Sequence, residues 1–329
     1  MKQGNKHMVQ VFDWALGDAV PAVISNGQKL VAAIGNFDGV HLGHQQVISK
    51  ARQAADEAEL PLAILTFSPH PRAYFRPDDA PFLLMDRQAK IEALAAQGAD
   101  IVLHIAFTAE LQSCSAEGFV RDVLARLGVT QLFAGTDFAF GRGRSGDMDI
   151  LAELGTHHSM AITPVSLVPD EHSATISSSR IRAALQSGQI ALASSMLGRD
   201  PVISGPILQG DQRGRLLSFP TANLSMSNLL APAFGVYAVE AQLGEPANGA
   251  KLCGVANIGV RPTVNDRGVL CEVHLFDFDQ EIYGERLTVY VKDFIRSEAK
   301  FNGLEELKAQ IAKDVEAAKR LLPQPSLTA

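Results

Sequence analysis

Leu30-Val31-Ala32-Ala33-Ile34-Gly35-Asn36-Phe37-Asp38-Gly39-Val40-His41-Leu42-Gly43-His44-Gln45 joins an unbroken apolar run to a turn rich in glycine and histidine. The run Leu30–Ile34 is short and continuous, as a buried strand is. The following Gln46-Val47-Ile48-Ser49-Lys50-Ala51-Arg52 has the spacing of an amphipathic helix. The glycines and histidines therefore sit where the carboxyl end of a strand turns into a helix, which is where open α/β sheets bind ligands. A helix start also presents unpaired N–H groups and a positive dipole end to an anion. His41 and His44 are three apart and share a face if the helix begins beside them.

The pair has three readings. As donors to a nucleotide's phosphates, the imidazoles would steady charge that builds during displacement. As structural groups, they would only hydrogen-bond the helix start. As metal ligands they have little support, because His-x-x-His is not the His-Glu-x-x-His spacing and no cysteine cluster lies nearby. The glycines at 35, 39 and 43 favour a tight turn and a close approach of backbone to ligand.

Working outward, strand and helix patterns alternate to about residue 186. Strands are expected over Pro61–Phe67, Ile101–Ile105, Val129–Ala134 and Ala161–Leu167, and helices over Arg87–Gln97 and Ala116–Leu127. Such alternation predicts a doubly wound parallel sheet covered by helices. After a short helix over Ile190–Leu197 the texture changes. Short alternating runs (Val202-Ile203, Gly235–Val239, Leu252–Ala256, Leu270–Leu275 and Leu287–Val291) are punctuated by Gly, Pro, Asn and Asp. They predict an antiparallel sheet or small β-barrel. An amphipathic helix over Leu304–Leu322 closes this domain, and residues 323–329 form a tail.

A chain of 329 residues is long enough for two domains, and 47% hydrophobic residues supply a sizeable core. A net charge of −7 and 6% aromatics argue against nucleic acid, which calls for a basic field and stacking rings. The amino terminus is polar and no long apolar segment follows, so neither a signal peptide nor a membrane span is expected. Cys114, Cys253 and Cys271 are odd in number and widely spaced, which fits reduced thiols in the cytoplasm. Nothing in the sequence sets an oligomeric state.

Further motifs follow other expected strands. Ser68-Pro69-His70-Pro71-Arg72 is a loop whose prolines fix the backbone around His70. In Gly135-Thr136-Asp137-Phe138-Ala139-Phe140-Gly141, Asp137 suits a hydroxyl or amine and Phe138 a ring; alternatively Phe138 and Phe140 are core residues at period two. Gly141-Arg142-Gly143-Arg144-Ser145-Gly146 matches Gly-x-Gly-x-x-Gly, but it comes too late in the domain for a dinucleotide fingerprint. It reads as a basic loop facing phosphate, or as a solvated one. Ser177-Ser178-Ser179-Arg180-Ile181-Arg182 opens a helix with three hydroxyls and a planar cation, a cradle for an anion; a simple N-cap would need only one serine.

In the second half, Gly210-Asp211-Gln212-Arg213-Gly214-Arg215 precedes Phe219-Pro220-Thr221-Ala222-Asn223. The glycines and arginines suit a polyphosphate, and Thr221 and Asn223 supply hard oxygens of the kind Mg²⁺ takes. A plain hairpin turn is the other reading. In Leu270-Cys271-Glu272-Val273-His274-Leu275, alternation puts Glu272 and His274 on the face opposite Cys271 and Val273. Glu272 is then either a surface glutamate or a base.

Taken together, these strings resemble the bifunctional riboflavin kinase/FAD synthetase family, over about Lys29 to Leu321. Gly35–His44 is similar to the His-x-Gly-His motif of nucleotidyltransferases in the fuller form of the FAD synthetase half, and the 210–224 string is similar to the riboflavin kinase half. The resemblance implies a doubly wound nucleotidyltransferase domain over 1–186 and a riboflavin kinase barrel with a C-terminal helix over 187–322. It implies that riboflavin and ATP give FMN, and that FMN and ATP give FAD and pyrophosphate, with Mg²⁺ and small-molecule partners only. Glu272 would be the kinase base, and His41, His44 and Arg182 would act in adenylyl transfer. ATP and its phosphates would meet Gly35, Asn36, Phe37, Gly43, His70, Ser177, Ser178 and Ser179 in the first half, and Gly210, Arg213, Gly214 and Arg215 in the second. Asp137, Phe138 and Arg296 would line flavin, and Thr221 and Asn223 would hold the metal.

Three positions depart from the family pattern, all in the kinase half: Pro206, Ser218 and Val264. They raise the alternative of an FAD synthetase whose impaired kinase half chiefly binds flavin. A non-catalytic flavin-binding or RNA-binding module is the reading from another class, and the acidic balance counts against RNA.

Overall fold

The computed structural model describes residues 8–25, 27–209, 219–244, 251–260 and 268–323. In chain order its elements are β1 (Gln10–Trp14), β2 (Leu30–Ile34), α1 (Leu42–Ala58), β3 (Leu62–Ser68), α2 (Pro71–Phe75), α3 (Arg87–Ala96), β4 (Ile101–Ala106), α4 (Ala109–Ser113) and α5 (Ala116–Phe119). Then come β5 (Val129–Gly135), α6 (Met148–His157), β6 (Ala161–Val165), α7 (Ser178–Gln186), α8 (Ile190–Leu197) and β7 (Val202–Pro206). They are followed by β8 (Ala222–Ser225), β9 (Gly235–Leu243), β10 (Leu252–Val260), β11 (Val269–Leu275), β12 (Arg286–Ser297) and α9 (Leu304–Leu321). The chain forms two compact units, Met1–Asp79 with Lys90–Ile176, and Ala80–Ala89 with Ser177–Ala329.

The first unit is the expected parallel α/β sheet, with strand order β1-β4-β3-β2-β5-β6. All five residues of β2 are buried, as in a strand covered on both faces. The chain builds outward from β2 through β3 to β4, then returns to place β5 on the other side of β2. The reversal falls between β2 and β5, and the carboxyl ends of strands at such a point are the usual ligand site of these sheets. Two differences from the sequence expectation stand out. The sequence pattern does not predict the edge strand β1; only Trp14 of its five residues is buried, so it carries no apolar run. The helix expected over Ala116–Leu127 is α-helical only to Phe119 and continues as a π-helix over Val120–Ala125.

The second unit is an antiparallel sheet in the order β7-β12-β9-β10-β11-β8. An isolated bridge, in which the Leu208 N–H donates to the Asn223 carbonyl at 2.8 Å, joins the two ends and nearly closes the barrel. One face of the sheet, including Leu224, Tyr237, Val239, Ile258, Cys271 and Val289, packs into the barrel core. The other carries Val236, Ala238 and Val255 beneath Val315, Ala318 and Leu322 of the C-terminal helical segment. Glu305 and Glu306 in the first turn of α9, with Lys319 and Arg320 in the last, complement its dipole. The segment 80–89 is fastened into this unit by polar contacts. Both Asp86 carboxylate oxygens accept from Arg286 Nη2, at 2.9 and 3.1 Å, and Ser204 Oγ donates to the same carboxylate at 3.0 Å.

Candidate active sites

In the first unit, α1 begins immediately after His41, so His44 lies in its first turn. His41 is the N-cap: its Nδ1 accepts the His44 N–H at 3.3 Å, satisfying one of the helix's orphan donors. A nitrogen that accepts carries no proton, so the proton of the neutral His41 ring is on Nε2. The two rings stack with centroids 3.6 Å apart, and Phe37 meets His44 edge-on at 5.3 Å.

Gly43 leaves the His41 ring room beside the helix start. A Cβ there would lie 3.1 Å from Cε1 and 3.2 Å from Nδ1 of His41. The turn before it is strained, with φ of +49° at Phe37 and +39° at Val40, values that side chains rarely adopt. Both side chains are fully buried and hold the turn in place. The Asn36 carbonyl is fixed as well, accepting from Lys90 Nζ at 2.8 Å and from buried Thr66 Oγ1 at 3.1 Å. The sequence does not single out Lys90, because it sits in an ordinary helical pattern with no motif around it.

The other first-unit motifs follow strands at the same end of the sheet. His70, half-buried, caps α2 through Nδ1, which accepts the Arg72 N–H at 3.1 Å. Asp137 is exposed beyond β5 and folds back over Gly135, where an added Cβ would lie 2.7 Å from its Oδ1. Phe138 and Phe140 stack at 5.8 Å; Phe140 is core, whereas Phe138 stays half-buried. The 141–146 loop is closed by mutual backbone hydrogen bonds of Phe140 and Gly146, leaving Arg142 and Arg144 exposed at its tip.

A cluster that the motifs did not reveal lies where β3 and β4 end. Phe107 meets Phe67, Tyr74 and Phe75 edge-on at 6.0, 5.2 and 5.6 Å, and Phe75 is 55% exposed.

In the second unit, Ser177 is the N-cap of α7, its hydroxyl accepting the Arg180 N–H. Capping therefore uses one serine of the three. Arg182 Nε donates to the Phe82 carbonyl at 2.8 Å, with the guanidinium 5.2 Å from the Phe82 ring.

Asn223 lies on a strand rather than in a turn. In the register of the barrel, Glu272 on β11 pairs with Asn223 on β8 and with Asn257 on β10. These three side chains share one face, and Asn257 Nδ2 approaches Glu272 Oε2 at 3.4 Å. Cys271 and Val273 point into the core, so the alternation expected at Glu272 and His274 holds. Burial and the neighbouring Glu272 charge push the Cys271 thiol up to about 12. His274 binds the Pro220 carbonyl through Nδ1 at 2.9 Å. Arg296 Nε and Nη2 pair with both oxygens of buried Asp314 on α9, at 2.9 and 2.7 Å.

Pro206 ends β7 opposite Arg286, a strand-end position that tolerates the missing N–H. Gly210, Arg213, Gly214, Arg215, Ser218 and Val264 lie outside the described residues. No helix among the described residues is long and apolar enough to cross a membrane.

The family model for FAD synthetase matches residues 23–180, and that for riboflavin kinase matches 197–322. The bifunctional riboflavin kinase/FMN adenylyltransferase of Escherichia coli K12 is 41% identical over 286 residues, spanning 86% of this chain and 90% of its own. The chain belongs to the bifunctional riboflavin kinase/FMN adenylyltransferase family. The family's Bacillus subtilis enzyme is 40% identical over 297 residues, covering 89% of this chain and 92% of its own. A crystal structure described as a macrolide-efflux protein from Streptococcus pneumoniae is similar over 96% of this chain and all of its own, at a TM-score of 0.81 and 26% identity. Both halves of the bifunctional family are thus represented here in order along one chain.

Proposed function

We propose that this protein phosphorylates riboflavin to FMN with ATP and adenylylates FMN to FAD with release of pyrophosphate. The observation that carries the proposal is that each unit builds its own polar constellation at a place suited to phosphate chemistry. The first has the stacked His41–His44 pair at the strand-order reversal. The second has the Asn223–Glu272–Asn257 row on the barrel. Residues 1–186 are assigned the adenylyl transfer and 187–322 the kinase reaction.

In adenylyl transfer a phosphate oxygen of FMN attacks the α-phosphorus of ATP, and the bond to pyrophosphate breaks. The nucleophile is already ionised, so no strong base is needed. The task is to hold two anions together and neutralise the charge of the transition state. His41, through its Nε2–H, and His44 suit that task as hydrogen-bond donors. Gly35, Asn36, Phe37, Gly43 and His70 are assigned to ATP on the first unit. The Ser177–Ser179 helix start and Arg182, on the second unit, are assigned to phosphate binding. Asp137, Phe138 and exposed Phe75 of the aromatic cluster offer polar and stacking contacts to the flavin.

In the kinase reaction Glu272 takes the proton of the ribityl hydroxyl as that oxygen attacks the γ-phosphorus, and ADP leaves. Thr221 and Asn223 offer neutral oxygens beside one carboxylate, a donor set that fits a Mg²⁺ shared with ATP phosphates better than an all-protein cage. When bound, the ion would offset charge on the transferring phosphoryl group. Arg296, held by Asp314, is assigned to the flavin site. No observation favours the impaired-kinase alternative, since the kinase family match runs through 197–322. The reduced cytosol suits both the ATP supply and three cysteines without disulfides.

The test is product analysis of purified protein with riboflavin, ATP and Mg²⁺. FMN is expected to appear first and FAD to follow. A protein that makes FAD from supplied FMN but no FMN from riboflavin would restore the alternative.

A further inference from the structure

The antiparallel ladder between β8 and β11 pairs Glu272 with Asn223 and Val273 with Ala222, then stops one residue short of Thr221. Beyond that point a side chain takes over. His274, two residues after Glu272 and on the same face, binds the Pro220 carbonyl at 2.9 Å through Nδ1. A carbonyl oxygen only accepts, so Nδ1 bears the proton. The imidazole is itself braced by Phe219 and Phe276, edge-on at 5.3 and 6.0 Å.

The Pro220 carbonyl and the Thr221 N–H belong to one planar peptide unit. Fixing that oxygen fixes the plane from which the Thr221 side chain departs. One strand thus supplies a carboxylate at position 272 and, at 274, a clamp on the backbone that presents Thr221.

We infer that His274 is a positioning residue for riboflavin phosphorylation: its Nδ1–H holds the 220–221 peptide so that Thr221 stands in register with Asn223 and Glu272. The inference rests on the kinase reading given above. It assigns His274 no contact with substrate and no proton transfer in the reaction.

The side-chain nitrogen of asparagine is bonded to Cγ, as Nδ1 of histidine is, so His274→Asn keeps a donor at nearly the same place. His274→Phe keeps a ring against Phe219 and Phe276 but removes the donor. Riboflavin phosphorylation, FMN adenylylation and amide hydrogen exchange over residues 219–224 are measured on the full chain for both variants. His274→Phe is expected to lower the kinase turnover about 10- to 100-fold, the scale of a displaced catalytic group. It should also raise the Mg²⁺ concentration needed for half-maximal rate and speed exchange over 219–224. His274→Asn should stay within about threefold of the parent, with slow exchange. FMN adenylylation should be unchanged in both.

Parental kinase turnover and Mg²⁺ requirement in His274→Phe would overturn the proposal. So would equal kinase losses in the two variants, which would show that the ring and not the donor matters. Glu272→Gln, assayed alongside, separates this idea from the reading beneath it. Full riboflavin phosphorylation in that variant would overturn the site assignment and the positioning role with it.

Discussion

Nδ1 of His41 accepts the backbone N–H of His44 at 3.3 Å while the two imidazoles stack 3.6 Å apart. One histidine therefore starts the helix that carries the other. Capping and chemistry can be separated by substitution. Asparagine is a strong N-cap, so His41→Asn should unfold within about 0.5 kcal/mol of the parent, whereas His41→Ala should lose about 1 kcal/mol. Both should lose most FMN adenylylation, measured as FAD formed from FMN. Retained activity in His41→Asn would reduce His41 to a cap.

Gly43 leaves room for the His41 ring, since a methyl group added there would lie only 3.1 Å from Cε1. Gly43→Ala is expected to push the ring off its stack and lower FMN adenylylation at least tenfold, while riboflavin phosphorylation stays at the parental rate. Steady-state kinetics of the two half-reactions check this.

Much of this arrangement is legible from local sequence. The β2–turn–α1 unit shows in an unbroken apolar run and the glycines after it, and β11 in strict alternation around Glu272. What stays hidden is non-local. Asn223 lies in a string that looks like a turn until β11 pairs with it. Asp86 reaches Arg286 across 200 residues, a contact that leaves no periodic trace. Only the family resemblance suggests a flavin role for Arg296; its partner, Asp314, is on another element. Edge strand β1 has one buried residue and so no pattern to detect.

The Arg296–Asp314 pair fastens β12 to α9 with both carboxylate oxygens engaged, and Asp314 is 3% exposed. Removing one partner leaves a charge buried without its match. Arg296→Ala, which strands the buried Asp314 carboxylate, should destabilise the second unit by about 3 kcal/mol. Arg296→Lys should recover only part of the loss, because lysine lacks the planar fork. Urea denaturation of the full chain, followed by a probe in each unit, tests both.

Cys271 is fully buried, and its thiol is pushed up to about 12 by burial and by the neighbouring Glu272 charge. The folded state disfavours the thiolate, so this group's contribution to stability is complete below the unfolded thiol's range of about 8.5. It is lost as pH rises from there toward 12. At pH 9, iodoacetamide should leave Cys271 unmodified in folded protein and alkylate it once urea is added, as read by peptide mass spectrometry. Cys114 and Cys253, only half-buried, should react sooner.

Two separate phosphate chemistries on one chain should be separable by substitution. The decisive measurement is a reciprocal pair, His44→Ala and Glu272→Gln, each assayed for FMN from riboflavin and for FAD from supplied FMN. His44→Ala should make FMN normally and lose FAD formation by about 100-fold or more. Glu272→Gln should make FAD normally and lose FMN formation by a similar factor. Equal loss of both reactions in either variant would rule out separate sites.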